Sequence, residues 1–357
     1  MLLSPSIVIR LTNTVAHAKV LRNWGDDMTT KEKVLAVLEA RKGQSISGAE
    51  LARALNISRN SVWKAINSLR SEGYRFAATP NRGYCLLEEN DIISQQSVQK
   101  HLKNIDFFRL TVVDRAESTN TVLKQLAEGG EAEGRVVIAN EQTSGRGRMG
   151  RRFYSPPGSG IYISLLLRPK LMATDALFIT TAAAVAVSRA IEAVTGKASS
   201  IKWVNDIYCG DKKVCGILTE ASIDFESGGL SYAVLGIGIN IGNPDGGFPE
   251  ELKDIATSIY GGEPYSPEIR SELAASVLDN FLQLYKELHT RSFMVEYRSR
   301  SFVIGKEVLI IRPNSREQGI VLDIDDEARL VVKTAGGEIK KLSSGEISIR
   351  EKKTGLD

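Results

Sequence analysis

The 357-residue sequence predicts a multidomain α+β protein, with a winged helix-turn-helix in front, a mixed α/β domain in the middle and a small β-barrel at the end. Three observations carry that prediction. Helical periodicity with capping signals fills residues 29–72 and ends in a hairpin. Strands and helices then alternate from Phe108 to Arg300 around a loop of glycines and arginines. After Phe302 only short alternating strands and turn residues follow.

Composition narrows the function classes. The formal charge of +3 is too small to imply a nucleic-acid partner by itself, so the distribution of charge must decide. Cys85, Cys209 and Cys215 form no Cys-x-x-Cys pair, and an odd count argues against a disulfide framework. His17, His101 and His289 are scattered, which leaves no metal-ligand cluster and no histidine-based catalysis. The most apolar helical run, Ala176 to Val194, is broken by threonines, Arg189 and Glu192. It reads as a core helix, not a membrane span, and the expected compartment is the cytoplasm.

Residues 1–27 differ from the rest and are expected to be a disordered or mis-started extension. The codons available to Trp24-Gly25-Asp26 form a purine-rich run resembling a ribosome-binding site, which puts the expected start at Met28. Thr29-Thr30-Lys31-Glu32 is a capping box, followed by Val34, Leu35, Val37 and Leu38 at helical spacing. Gly43 ends that helix. Ser47-Gly48-Ala49-Glu50 is a second box, opening a short helix with Leu51 and Leu55 inward. The turn Asn56-Ile57-Ser58 leads to a helix from about Arg59 to Glu72, with Val62, Ile66 and Leu69 on its core face. Arg59, Asn60, Ser61, Lys64, Asn67 and Arg70 remain for its other faces. Two short helices, a tight turn and a polar, basic second helix make a helix-turn-helix. The hairpin Tyr74–Thr79 and Tyr84–Leu87, with Arg82 near its tip, supplies a wing. From Arg53 to Arg82 the basic residues are opposed by Glu72 alone, which gives a local footprint for phosphates. These residues are the candidate DNA contacts.

The polar stretch Glu88 to Asp106 suits a linker helix. Domains are expected at 28–90, 107–300 and 301–357, with 91–106 between the first two. The strand Phe108–Val113 leads to Ser118-Thr119-Asn120-Thr121, three of whose polar side chains exceed what one N-cap needs, with a helix from Thr121 to Glu128. Residues 141–152, Glu-Gln-Thr-Ser-Gly-Arg-Gly-Arg-Met-Gly-Arg-Arg, then hold three glycines and four arginines. Glycines allow close approach to a ligand, and arginines offer forked donors to phosphate and carboxylate. Such a loop repels itself until an anion neutralises it, and the expected anion is the substrate. Gly145, Gly147 and Gly150 spell the dinucleotide fingerprint, but Pro156-Pro157 and the strand Ile161–Leu167 exclude the helix that fingerprint needs. A P-loop fails as well, since Ala198 follows Gly196-Lys197.

Further on, Ile201-Lys202-Trp203-Val204-Asn205-Asp206-Ile207 brackets an apolar run with a lysine and an aspartate that are costly to bury unpartnered. Asp211-Lys212-Lys213 reads as a hairpin turn, and Val214 to Glu220 as the returning strand. In Leu235-Gly236-Ile237-Gly238-Ile239-Asn240 the alternating glycines clear one face for a ligand or a neighbouring backbone. Helices are expected over Pro267–His289 and Phe293–Arg300. The barrel strands include Val308–Ile311, Gln318–Ile324, Leu330–Lys333 and Gly345–Ile349.

Ser118-Thr119-Asn120, the Gly-Arg-Gly-Arg-Met-Gly-Arg loop, Lys202-Trp203-Val204-Asn205-Asp206, Lys213 to Leu218 and Gly236 to Asn240 stand in the order seen in biotin protein ligases. With the winged helix in front, residues 29 to 351 resemble the bifunctional class, biotin ligase plus biotin-operon repressor. Val204 departs from the family's usual proline and Met149 from a further arginine. The resemblance implies a central domain of the biotin/lipoate protein ligase type and an SH3-like C-terminal barrel. It implies a reaction in which biotin and ATP give biotinyl-5′-AMP and pyrophosphate, after which biotin passes to a lysine of a biotin carboxyl carrier protein. Ser118, Thr119, Asn120, Gln142 and Gly216 would then bind biotin. Arg146, Gly147 and Arg148 would close over carboxylate and phosphate, and Lys213 would meet the reacting carboxylate, with Arg148 and Lys213 as the catalytic pair. Lys202, Asn205, Asp206 and Asn240 would serve ATP and its Mg2+. The implied partners are the carrier, operator DNA as an inverted repeat, and a second copy of the chain in a ligand-promoted homodimer. A lipoate ligase would share the central fold without the winged helix. A repressor that only senses biotin would have no need of the arginine loop or Lys213.

Overall fold

The computed structural model describes residues 28–79, 83–224, 226–312 and 315–349. The expected extension and the wing-tip Arg82 lie outside them. The chain divides after Ile92 into two compact units.

The first unit is helical with one hairpin. It comprises α1 (Thr30–Ala40), α2 (Gly48–Leu55), α3 (Arg59–Ser71) and the antiparallel pair β1 (Phe76–Thr79) and β2 (Gly83–Leu86). Thr29 and Glu32 close the expected capping box on α1. The second box forms only by half. Ser47 accepts from the Glu50 backbone at 3.0 Å, while the Glu50 carboxylate turns away to Arg41 at 2.9 Å. Leu38, Ile46, Leu51, Val62, Ile66, Leu69 and Leu86 fill the core of this unit.

The second unit is built on a seven-stranded sheet. Its strands are β3 (Arg109–Ala116), β4 (Arg135–Gln142), β5 (Gly160–Leu167), β6 (Ser200–Lys202), β7 (Asp206–Cys209), β8 (Lys212–Ile223) and β9 (Leu230–Asn240), in the order β3-β4-β5-β9-β8-β7-β6. Only β3 and β4 pair in parallel, because α5 (Thr119–Glu128) crosses between them. The helices α6 (Ala176–Thr195) and α7 (Ile269–Lys286) pack together against the sheet, burying most of α6 from Phe178 to Ile191. The one described helix apolar enough to span a membrane is thus mostly buried as core.

The stretch expected to be a linker helix belongs to this core instead. Its helix, α4, is short (Gln95–Gln99), with Val98 fully buried and Leu102 8% exposed. Asp279 of α7 accepts the backbone N–H of Lys103 and Asn104. After α8 (Met294–Arg300) come β10 (Glu307–Arg312), β11 (Ser315–Ile324), β12 (Leu330–Thr334), β13 (Ile339–Leu342) and β14 (Glu346–Ile349), in the order β13-β12-β11-β10-β14. Val308, Ile310, Val321, Leu330 and Ile347 of this sheet join the same continuous apolar core as the large sheet.

Candidate functional site

The site begins where β3 gives way to α5. Ser118 caps that helix by accepting from the Thr121 N–H, so α5 starts at Thr119, two residues before the position its pattern suggests. Thr119 and Asn120 therefore ride on the first helical turn, buried and facing the sheet. Gln142, at the end of β4, accepts from the Thr119 N–H at 2.9 Å and from its hydroxyl at 3.0 Å. The other end of Gln142 donates to Ser155 Oγ at 3.0 Å. Ser164, fully buried on β5, places its hydroxyl 2.7 Å from Thr119 Oγ1 and 2.6 Å from Asn120 Oδ1, its one proton shared between the two acceptors. These bonds fix the polar floor of a cleft lined by Ser118, Thr119, Asn120, Gln142, Arg146, Gly147, Arg148, Phe153, Asn205, Lys213 and Gly216.

The glycine-arginine loop is a small hydrogen-bonded hairpin over that cleft. Phe153 N–H donates to Gly145 C=O at 2.9 Å and Gly147 N–H to Arg151 C=O at 2.8 Å. A single 3-10 turn, Arg148–Gly150, stands where the dinucleotide reading would need a helix. The expected self-repulsion is relieved in part by the protein itself. Arg146 pairs with Glu220 at 3.3 Å and Arg148 donates to Asn205 Oδ1 at 3.0 Å.

The alternating glycines of β9 make room for side chains, where a ligand or a backbone was expected. A Cβ at Gly238 would lie 2.5 Å from the Phe153 ring, and one at Gly236 would lie 2.2 Å from Asn120 Oδ1. Gly216 of β8 faces the same ring and the Lys213 side chain.

At the other end, Lys213 Nζ lies 2.7 Å from Asp206 Oδ1. The turn bearing Asp206 is held from three sides. Trp203 Nε1 donates to Ala328 C=O in the barrel at 3.0 Å, Tyr297 OH donates to Val204 C=O at 3.0 Å, and Asn205 Nδ2 donates to Ile217 C=O at 2.9 Å. The Trp203–Val204 peptide is cis. A second pocket adjoins the first, lined by Arg148, Arg151, Arg152, Lys202, Lys213, Asp206 and the barrel's Gly345 and Ile347. Its five cations and one carboxylate suit a polyanion. Burial pushes the Cys209 thiol up to about 11 and the Cys215 thiol further still, so neither is a ready nucleophile. Among the described residues, no three His, Cys, Asp or Glu side chains gather as a metal site.

Of the residues singled out in sequence, Asn240 alone in the ligand set stands outside both pockets. It donates to Thr257 C=O at 3.0 Å and braces the segment that runs beside Lys213. Sequence reasoning missed Phe153, Ser155, Ser164 and Glu220. The i, i+2, i+4 spacing of Gly216, Leu218 and Glu220 along one strand face was the available signal for the last of these. In the first unit, Arg59, Asn60, Lys64 and Arg70 are exposed on α3, and Ser61 and Asn67 are half-buried.

A cleft with a hydrogen-bonding floor at one end and a lysine amid arginines at the other defines an acid-activating ligase. Residues 112–240 match the Biotin/lipoate A/B protein ligase family, residues 30–85 an HTH domain and residues 303–350 the Biotin protein ligase C terminal domain. The chain is 36% identical to the bifunctional ligase/repressor BirA of Bacillus spizizenii, over 90% of this chain and 99% of that one. It is 35% identical to the Bacillus subtilis protein of that name, with the same coverage. Among solved structures it resembles the biotin protein ligase of Aquifex aeolicus in complex with biotin and ATP. That likeness has a TM-score of 0.57 and 31% identity, over 68% of this chain and 98% of that one. The chain belongs to the biotin protein ligase family, in its bifunctional ligase/repressor branch.

Proposed function

We propose that this protein joins biotin to ATP and passes the biotinyl group to a carrier lysine, and that its first unit represses genes of biotin supply. The observation that carries the ligase reading is the pairing of two chemistries in one cleft. The polar floor of Ser118, Thr119, Asn120 and Gln142 suits a cyclic urea, and Lys213, Arg148 and the second pocket suit a carboxylate meeting a triphosphate. Biotin's carboxylate attacks the α-phosphorus of ATP and pyrophosphate leaves. The lysine amine of the carrier then attacks the acyl carbon and AMP leaves. Neither step needs a protein nucleophile. Fixed cations and N–H donors that hold reactants in line and absorb developing charge are enough.

Lys213 meets the reacting carboxylate, and Asp206, paired with that ammonium, aims it until substrate replaces it. Arg148, oriented by Asn205, covers the phosphate side. Mg2+ suits such a site, since it retains waters and takes few protein carboxylates beside substrate phosphates, and Asp206 is the carboxylate that would hold it. In the first unit, Asn60, Lys64 and Asn67 recur at i, i+4 and i+7 on the face of α3 opposite its buried stripe. That face fits a major groove, and two copies would read an inverted repeat.

The test is direct. Purified protein with ATP, magnesium and a biotin-carrier domain should label the carrier with biotin and not with lipoate. Labelling by lipoate alone would overturn the reading.

A further inference from the structure

We propose that Glu220 is the positioning residue that seats the glycine-arginine loop on the biotin end of the cleft before substrate arrives. This rests on the reading of the cleft given above. Glu220 lies beyond the cleft lining, on the strand face that carries Gly216 and Leu218, and its side chain is 19% exposed. Its Oε1 meets Arg146 Nη1 at 3.3 Å and Lys124 Nζ at 3.3 Å, and its Oε2 accepts from Asn120 Nδ2 at 2.9 Å. One carboxylate thus joins the loop, the first turn of α5 and β8.

The loop has no acid of its own. Gly145 to Arg152 contains four arginines and no Asp or Glu, and the preceding Glu141 is drawn to Arg115 at 3.4 Å. Arg146 also sits where the loop hairpin closes, bridged through its backbone to Arg152. Holding its guanidinium on Glu220 brings the Arg146–Gly147 backbone over the polar floor, and leaves Arg148 for the phosphate end. The two arginines therefore do different work. Arg146 acts through Glu220 on the loop and on Asn120, and Arg148 acts on the reactants.

The alternative is that Glu220 only staples α5 to the sheet through Lys124 and Asn120. The two differ in what happens to the loop. In Glu220→Gln, trypsin should cut the ligand-free intact protein within residues 148–152 faster than in the parent, and biotin affinity measured by calorimetry without ATP should fall on the order of tenfold, the scale of one lost charge-assisted hydrogen bond. ATP affinity and Tm should stay near the parent values. Arg146→Gln, a change at a half-exposed loop side chain, should weaken biotin by a similar factor, and the double variant should be no weaker than either single one.

Additive losses, or unchanged loop cleavage in Glu220→Gln, would overturn the proposal in favour of the staple. Parent-like biotin affinity in Arg146→Gln would overturn it even if Glu220→Gln fails to fold. If the parent itself binds no biotin, the reading of the cleft fails instead, and the cleavage comparison still tests the seat.

Discussion

Lys213 and Asp206 hold each other 2.7 Å apart at the mouth of a pocket otherwise rich in cations. An ammonium so held strengthens its interaction as charge develops on the reacting carboxylate and phosphate. Lys213→Gln should lose adenylate synthesis by at least about a hundredfold, with the fold intact by circular dichroism. Near-normal synthesis would remove Lys213 from this role. Arg148→Gly removes the guanidinium steered by Asn205, so the mixed anhydride should escape and acylate lysines on bystander proteins, measured as label on added albumin. If carrier labelling falls without bystander labelling, Arg148 serves binding rather than retention. Much at this scale was legible in the sequence because lysine, arginine and polar clusters in apolar strands announce an expensive environment. Phe153 was not, and Glu220 was legible only as a residue on the strand face of Gly216, not as the partner of Arg146. An aromatic beside arginines reads as core filler, and no local pattern says which distant acid a loop arginine will reach.

Elements carried their own signals well where a cap or a stripe defined them. Thr29 and Glu32 closed as a box, and Val62, Ile66 and Leu69 turned inward on α3. The second box was half right because Glu50 had a better partner in Arg41, a tertiary choice invisible to a four-residue motif. The segment after Ile92 was misread for a similar reason, since a polar composition hid the few apolar positions, Val98 and Leu102, that bury it. On α3, Lys64→Glu should weaken binding to biotin-operon DNA several-fold and flatten its salt dependence, with adenylate synthesis unchanged. Filter binding over a salt series checks this, and an unchanged slope would place Lys64 off the phosphates.

Between α6 and α8, Arg189, Glu192, Glu296 and Arg300 form a half-buried network. The Arg300 hydrogen bond holds the Glu192 carboxyl below its ordinary value of 4.5. Burial alone would raise Glu296, and the bonds from Arg189 and Arg300 overcome that and lower it. A carboxylate with a depressed folded pKa stabilises above its unfolded pKa and loses that contribution as pH falls through the folded one. Arg300→Gln should therefore lower Tm by a few degrees at pH 7, and the gap should close as pH falls below the ordinary carboxyl value of 4.5 and through the depressed folded values. A gap independent of pH would assign the loss to packing.

As a whole molecule, the chain divides into two compact units. The first unit keeps its own apolar cluster, whereas the large sheet and the barrel share one. The Aquifex ligase matches 98% of its length to only 68% of this chain. A fragment spanning residues 93–357 should then retain adenylate synthesis within a few-fold and lose DNA binding altogether, checked by pyrophosphate release and filter binding. Loss of synthesis with the fragment folded would show that the first unit completes the cleft. Strand alternation after Phe302 marks the barrel in the sequence. It could not tell that the barrel's inward residues join the apolar core of the large sheet.

The indole of Trp203 reaches across that shared core to the Ala328 carbonyl, and Gly345 and Ile347 wall the cationic pocket. A front unit with an apolar core of its own has the freedom of a cassette. The barrel has no such freedom. A recombination event that swapped it would have to carry in a matching acceptor for Trp203 and a matching wall for the pocket, so sheet and barrel are bound to be inherited together.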